Sequence, residues 1–205
     1  MPALTNQLRL EQMSKEKPLV TGDEKIAVFG AGGQIGTKLR PLLDKLYPGQ
    51  VIYCEDPQFA DAKKMHPLDV CNGQDVRDFI KQHNVKAIIN LAALLSAAAE
   101  KDPMKALEVN YYAPINLMRI AKDCGVRKLQ IMSSIAAQEF EPELYADREV
   151  RDAVTMLHEK GVISPYVVPQ GVYGMQKMML ERTADMFVKH YGLDVSTPRL
   201  AGVLN

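Results

Sequence analysis

The chain carries no net charge: 25 lysines and arginines balance 25 aspartates and glutamates. No dense basic cluster interrupts that balance, so the electrostatic footprint of a nucleic-acid or anionic-membrane surface is missing. Long apolar runs are missing too. The longest, Leu91 to Ala99, is broken by Ser96 and falls short of a bilayer span. Cys54, Cys71 and Cys124 are scattered, odd in number and form no Cys-x-x-Cys pair. They read as reduced thiols of a reducing compartment rather than a disulfide framework. The four histidines, His66, His83, His158 and His190, lack metal-ligand spacing, so no metal is expected. Residues 1–24 fit neither a secretory leader, which needs an apolar centre, nor a mitochondrial presequence, which is poor in acids; they hold Glu11, Glu16, Asp23 and Glu24. They read as a polar N-terminal extension of a cytoplasmic protein, with the mitochondrial matrix as the alternative.

What is present is a chain of 205 residues, 47% apolar, enough for one domain with a sizeable core. Apolar runs that predict strands fall at 25–29, 51–54, 64–67, 86–91, 128–132 and 194–198. Helical patterns lie between them at 34–47, 74–83, 103–124 and 173–191. Strands separated by helices imply right-handed crossovers and a parallel sheet. The consecutive apolar residues of 87–89 suit a strand buried on both faces. The fold class expected is α/β, a doubly wound parallel sheet of Rossmann type over residues 25–205. Residues 138–168, with a helical stretch at 149–160, read as an insertion. Ligand is expected at the carboxyl ends of the strands.

The run Gly30-Ala31-Gly32-Gly33-Gln34-Ile35-Gly36 follows the first strand and opens the first helix. In that context a glycine motif means phosphate binding. Gly30 permits the turn, Gly33 removes a β-carbon where backbone meets a pyrophosphate, and Gly36 lets the helix lie close on the sheet. The helix start at Gln34 and Ile35 offers N–H groups and the positive dipole end. Glu55 and Asp56 end the second strand about 20 residues on, where a carboxylate accepts from the adenosine ribose hydroxyls and repels a 2′-phosphate. The cofactor expected is therefore NAD, with Glu55 the preferred ribose ligand and Asp56 the second choice.

The fifth strand runs into Ser133-Ser134, and farther on Tyr173 and Lys177 stand four apart, on one helix face. Of the eight tyrosines only Tyr173 has a lysine at that spacing. Alcohol oxidation needs a base for the hydroxyl proton. A free phenol titrates near 10, and lowering it by three units takes roughly 4 kcal/mol, within reach of two close cations. Lys177 is expected to supply one of them, and Ser134 to orient the substrate hydroxyl.

Together these motifs resemble the extended short-chain dehydrogenase/reductase family, home of the sugar-nucleotide epimerases. Asn90 to Lys101, Gly33-Gln34-Ile35-Gly36-Thr37, Ser133-Ser134-Ile135-Ala136 and Val172-Tyr173-Gly174 are similar to its L-threonine 3-dehydrogenase branch. The resemblance covers residues 25–205. It implies that Gly30, Gly33 and Gly36 bind the NAD pyrophosphate, Glu55 the ribose, Asp69 the adenine edge and Val70 the adenine ring. Leu91, Ala92 and Ala93 would line the dinucleotide path, and Asn110 would support the active-site helix beside the cofactor. Ser96 would contact the substrate, and Ser134, Tyr173 and Lys177 would form the catalytic set. It further implies oxidation of L-threonine to 2-amino-3-ketobutyrate. It also implies a homodimer built on the helix before the fifth strand and the Tyr-Lys helix, where Met178, Met179 and Met186 sit.

The chain departs from that pattern in four places. Position 90 is asparagine where the branch has histidine. Gly171 stands where a threonine or serine precedes the tyrosine by two. Residues 137–140 lack an aromatic-glycine pair, and the gap from Ser134 to Tyr173 is wide. The sequence ends shortly after Arg199-Leu200-Ala201-Gly202, where the family continues into a substrate lobe, so that lobe is expected to be absent. Two other readings therefore stay open: a sugar-nucleotide epimerase or dehydratase, and a non-catalytic NAD-binding or interaction protein.

Overall fold

The computed structural model describes residues 18–60, 65–138 and 171–200, with single positions 149, 152 and 156. All but the first residue of the expected insertion, apart from those three positions, lies outside the described residues, as do residues 1–17 and 201–205. Among the described residues the strands are β1 Lys25–Phe29, β2 Val51–Glu55, β3 His66–Pro67, β4 Val85–Asn90, β5 Lys128–Ile131, β6 Ser133–Ser134, β7 Val195–Ser196 and β8 Arg199–Leu200. The helices are α1 Gln34–Leu46, α2 Gly73–Gln82, α3 Ser96–Lys101, α4 Pro103–Leu107, α5 Ala113–Asp123 and α6 Gly171–Tyr191. A π-helical turn, Glu108–Tyr112, joins α4 to α5.

Six strands form one parallel sheet in the order β3-β2-β1-β4-β5-β7. The direction of winding reverses between β1 and β4, which opens a crevice at their carboxyl ends. Helices cover both faces. Ala27 and Phe29 of β1 join a cluster with Val76 and Phe79 of α2, Leu117 and Met118 of α5, and Leu180 of α6. Val28, pointing the other way, packs with Leu39 and Leu43 of α1. This is the doubly wound arrangement the alternation of strands and helices predicts, and it follows from strands that must bury both faces.

Three features differ from expectation. The helix expected over 103–124 is interrupted. Pro114 has no N–H to give the carbonyl four residues back, at Asn110, and its ring crowds that position. The chain widens by one residue instead, and Ala113 N–H donates to Glu108 O, five back. The strand expected at 194–198 is split at Pro198, and β8 pairs with β6 in a separate two-stranded sheet. The fifth strand of the main sheet accordingly stops at Ile131, and Ser133 N–H donates to Pro198 O. Finally, residues 19–24 are tied to the domain. Val20 is buried, and Arg127 donates to both Glu24 carboxylate oxygens and to Leu19 O.

Leu129 lies at the centre of the main cluster, 0% exposed. Leu129→Ala is expected to lower unfolding free energy by about 2–5 kcal/mol, the range for a buried leucine truncated in a packed core, measured by urea denaturation.

Candidate functional site

Gly30 leaves β1 with φ of 71°, in the left-handed region that glycine enters freely. A β-carbon there would stand 2.7 Å from Ala92 N and 3.0 Å from the Leu91 carbonyl carbon. The loops after β1 and β4 therefore meet backbone to backbone at the switch point. At Gly36 a β-carbon would run into the Ala31 carbonyl, so α1 can lie against the loop only with glycine there. Gly33 caps α1 with no side-chain hydrogen bond, and a β-carbon on it would meet only Gly30 O, at ordinary contact distance. The helix start thus turns bare backbone and its positive end toward the crevice, a seat for an anion.

Glu55 reaches back to this loop. Its Oε2 accepts the Gly32 N–H at 2.7 Å and its Oε1 the Asp56 N–H at 3.0 Å. Each carboxylate oxygen retains a second acceptor position. Asp56, by contrast, turns to its own loop, accepting the Gln58 N–H at 2.8 Å. Asp69 likewise accepts the Cys71 N–H at 2.8 Å, and Val70 packs partly against the main core.

The strand end supplies the second half. Lys177, on the inner face of α6, is 2% exposed, and its Nζ donates to Met132 O at 2.8 Å. It stands 5.6 Å from the centre of the Tyr173 ring. Ser134 Oγ accepts the Ala136 N–H at 3.1 Å and stands near enough to the Tyr173 phenol to favour its ionised form. Burial pulls Lys177 down to about 8. Burial also pushes the Tyr173 phenol up, against the opposing effect of Ser134. The sequence led to a phenol lowered by two cations together, the Lys177 ammonium and the nicotinamide. In the folded chain desolvation wins at both groups, and Lys177 alone does not bring Tyr173 toward neutrality.

Asn110 has a different place from the one expected beside the cofactor. It is 0% exposed. Its amide accepts from Leu94 N–H, donates to Leu94 O and donates to Gln176 Oε1, all within 2.8–2.9 Å. It fastens the loop after β4 to α6 and holds the site from behind. The wide π-helical turn carries it there. Gln176 and the Met132 carbonyl were missed from sequence: a polar residue beside the lysine has no periodicity to betray it, and a backbone acceptor has no residue type at all.

One cleft of about 350 Å³ gathers Gly30, Gly33, Gln34, Ile35, Gly36, Leu91 and Ala93 with Ser96, Ser134, Tyr173 and Lys177. Glu55, Asp69, Val70, Ala92 and Asn110 are not among its lining residues. Among the described residues no group of three His, Cys, Asp or Glu side chains is placed to hold a metal ion, and no helix is long and apolar enough to cross a membrane.

The family model for the NAD dependent epimerase/dehydratase family matches residues 26–204. The chain belongs to this family. Its cofactor is NAD, and the glycine cradle with its uncapped helix start and flanking Glu55 carboxylate fits that dinucleotide. An uncharacterized epimerase/dehydratase of Staphylococcus saprophyticus is 27% identical over 191 residues, 89% of this chain and 54% of that protein. Among solved structures, an L-threonine dehydrogenase from Clostridium difficile is 28% identical with a TM-score of 0.69, over 89% of this chain and 54% of the other. A threonine dehydrogenase from Cupriavidus necator in its holo form is 25% identical with a TM-score of 0.70, over 87% and 54%. The chain thus spans about half the length of these relatives.

Two measurements probe this epimerase/dehydratase-family site. Gly30→Ala is expected to weaken NAD binding by tenfold or more, because it combines left-handed strain of about 1–2 kcal/mol with collision against Ala92. Gly49→Ala, at φ 69° with nothing within 4 Å, carries the strain alone and should leave NAD affinity unchanged in calorimetric titration. The second concerns Lys177. Its folded value of about 8 lies below that of an unfolded lysine, about 10.4. Its stabilising contribution is full above the unfolded value and is lost as pH falls through about 8. Denaturation midpoints should therefore rise between about pH 8 and pH 10, and Lys177→Met should remove that rise.

Proposed function

We propose that the chain carries the catalytic site of an NAD-dependent oxidation of L-threonine to 2-amino-3-ketobutyrate. The observation that carries this reading is the meeting of Ser134, Tyr173 and Lys177 with the glycine loop in one cleft, which Ser96 also lines. Support for threonine as substrate comes from the Asn90 to Lys101 stretch and from the two solved threonine dehydrogenases.

NAD, seated on the glycine loop, supplies the hydride acceptor for the substrate C3–H. Tyr173 takes the proton of the substrate hydroxyl, and Ser134 Oγ, beside the phenol, holds that hydroxyl. Lys177 contributes positive charge beneath the tyrosine ring and is fixed there by Met132 O. Ser96, at the first turn of α3, faces the amino-acid end. Glu55 receives the adenosine ribose. A homodimer through α5 and α6 accompanies this reading, with Met175 and Met186 exposed on α6.

The purified chain with NAD and L-threonine is expected to form NADH, followed by its fluorescence. Tyr173→Phe should reduce the rate by about a hundredfold or more, the scale of a lost general base, with NAD affinity retained. Conversion of a UDP-sugar with no threonine-dependent NADH would overturn the proposal in favour of an epimerase. NAD binding with no turnover of either would leave a cofactor-binding module.

A further inference from the structure

Gly171 opens α6 with φ of 82°. A β-carbon on it would lie 2.7 Å from Glu100 Oε1. That same oxygen accepts the Val172 N–H at 2.7 Å. The Glu100 carboxylate thus occupies the place where a side chain at position 171 would sit, and it caps α6 from a different element. A side chain at 171 would displace the carboxylate from this capping contact, so the missing hydroxyl and the presence of the carboxylate go together. Tyr173 is the next residue of the helix, inside the first turn. It forms a small buried cluster with Ala99 of α3 and Ala106 of α4, against which Leu94, Ala136 and Val172 pack. Ser96, at the other end of α3, lines the cleft.

We propose that Glu100 is the positioning residue of Tyr173, holding the first turn of α6 against the helix that carries Ser96. Two effects act together. The carboxylate satisfies an N–H that the helix itself leaves without a partner, and it places negative charge at the positive end of a 21-residue helix. Without it the first turn frays and the phenol moves away from Ser134, because Tyr173 lies in that turn while Ser134 stays fixed in the β6–β8 pair. Gln176 and Lys177, one turn on, stay anchored by Asn110 and Met132. Glu100 therefore governs the tyrosine separately from the lysine. The consequence for turnover rests on the role proposed above for Tyr173; the consequence for the helix does not.

The test uses the full chain with Glu100→Ala and Glu100→Gln. Glu100 is solvent-exposed, and both replacements suit a helix. Amide exchange at Val172 and Tyr173 should quicken about fivefold in Glu100→Ala, the effect of a lost cap. The Tyr173 ring signal, assigned by its loss in Tyr173→Phe, should titrate at lower pH as water reaches the phenol. Glu100→Gln, which keeps an acceptor oxygen, should restore most of the exchange protection. With L-threonine, Glu100→Ala should lower kcat while NAD affinity stays within about twofold. Unchanged exchange and an unchanged Tyr173 titration in Glu100→Ala would overturn the proposal, and so would a glutamine variant that exchanges like alanine. A wild-type chain that oxidises no threonine would sink the dehydrogenase reading alone, with exchange and titration still deciding Glu100.

Discussion

Lys177 imposes the constraint around which the site is built. An ammonium taken out of water is expensive unless every possible partner is brought to it. Among the described residues, the Met132 carbonyl comes within hydrogen-bond distance. Met132 is free to turn its carbonyl that way because β5 has ended one residue before, and β6 continues beside β8 in a second small sheet. The break in the strand, the separate pairing of the two serines and the burial of the lysine are therefore one arrangement. The ammonium keeps a residual drive to lose its proton, and burial pulls it down to about 8.

The helix that brings Lys177 inward is held at three heights. Glu100 grips its first turn. Asn110 grips Gln176 in the second, and reaches the loop after β4 at the same time. Glu181, one turn beyond Lys177, accepts from Ser133 and takes a bidentate pair from Arg199. Each clamp joins α6 to a different neighbour: α3, the π-helical turn and the β6–β8 pair. The cleft is thus framed by polar contacts behind its walls, while the walls themselves remain available to a ligand. On the opposite side the frame is steric. Gly30 and Gly36 allow backbone to approach backbone, and no larger residue fits either place.

Much of this was legible in the sequence. The alternation of apolar runs and helical patterns gave the doubly wound sheet, because a strand buried on both faces has few ways to be written. The glycine run and the Ser, Tyr and Lys positions could be named because each role demands a residue type at a fixed offset. The π-helical turn was less legible, although its cause, Pro114, was in view: a proline early in a helical pattern reads equally well as a first-turn residue. Asp56 was the second choice to Glu55, and in the fold it is Glu55 that reaches the glycine loop, at the Gly32 N–H, while Asp56 accepts within its own turn. Asn110 does bond Gln176 of α6, but its distance from the cleft depends on the depth at which α5 and α6 pack.

What the sequence determined alone was the order of elements, the phosphate cradle and the identity of the tyrosine and lysine, since these follow from local periodicity and residue chemistry. Only the tertiary structure decided the electrostatic state of that pair. Two cations argued for a lowered phenol; burial acts the other way on Tyr173 and pulls Lys177 down, because desolvation depends on how many atoms of distant elements surround a group. It also decided what Gly171 is for. In the sequence the glycine is simply a missing side chain. In the fold, the left-handed turn and the approach of a carboxylate 71 residues earlier in the chain make it the opening through which α3 holds the start of α6.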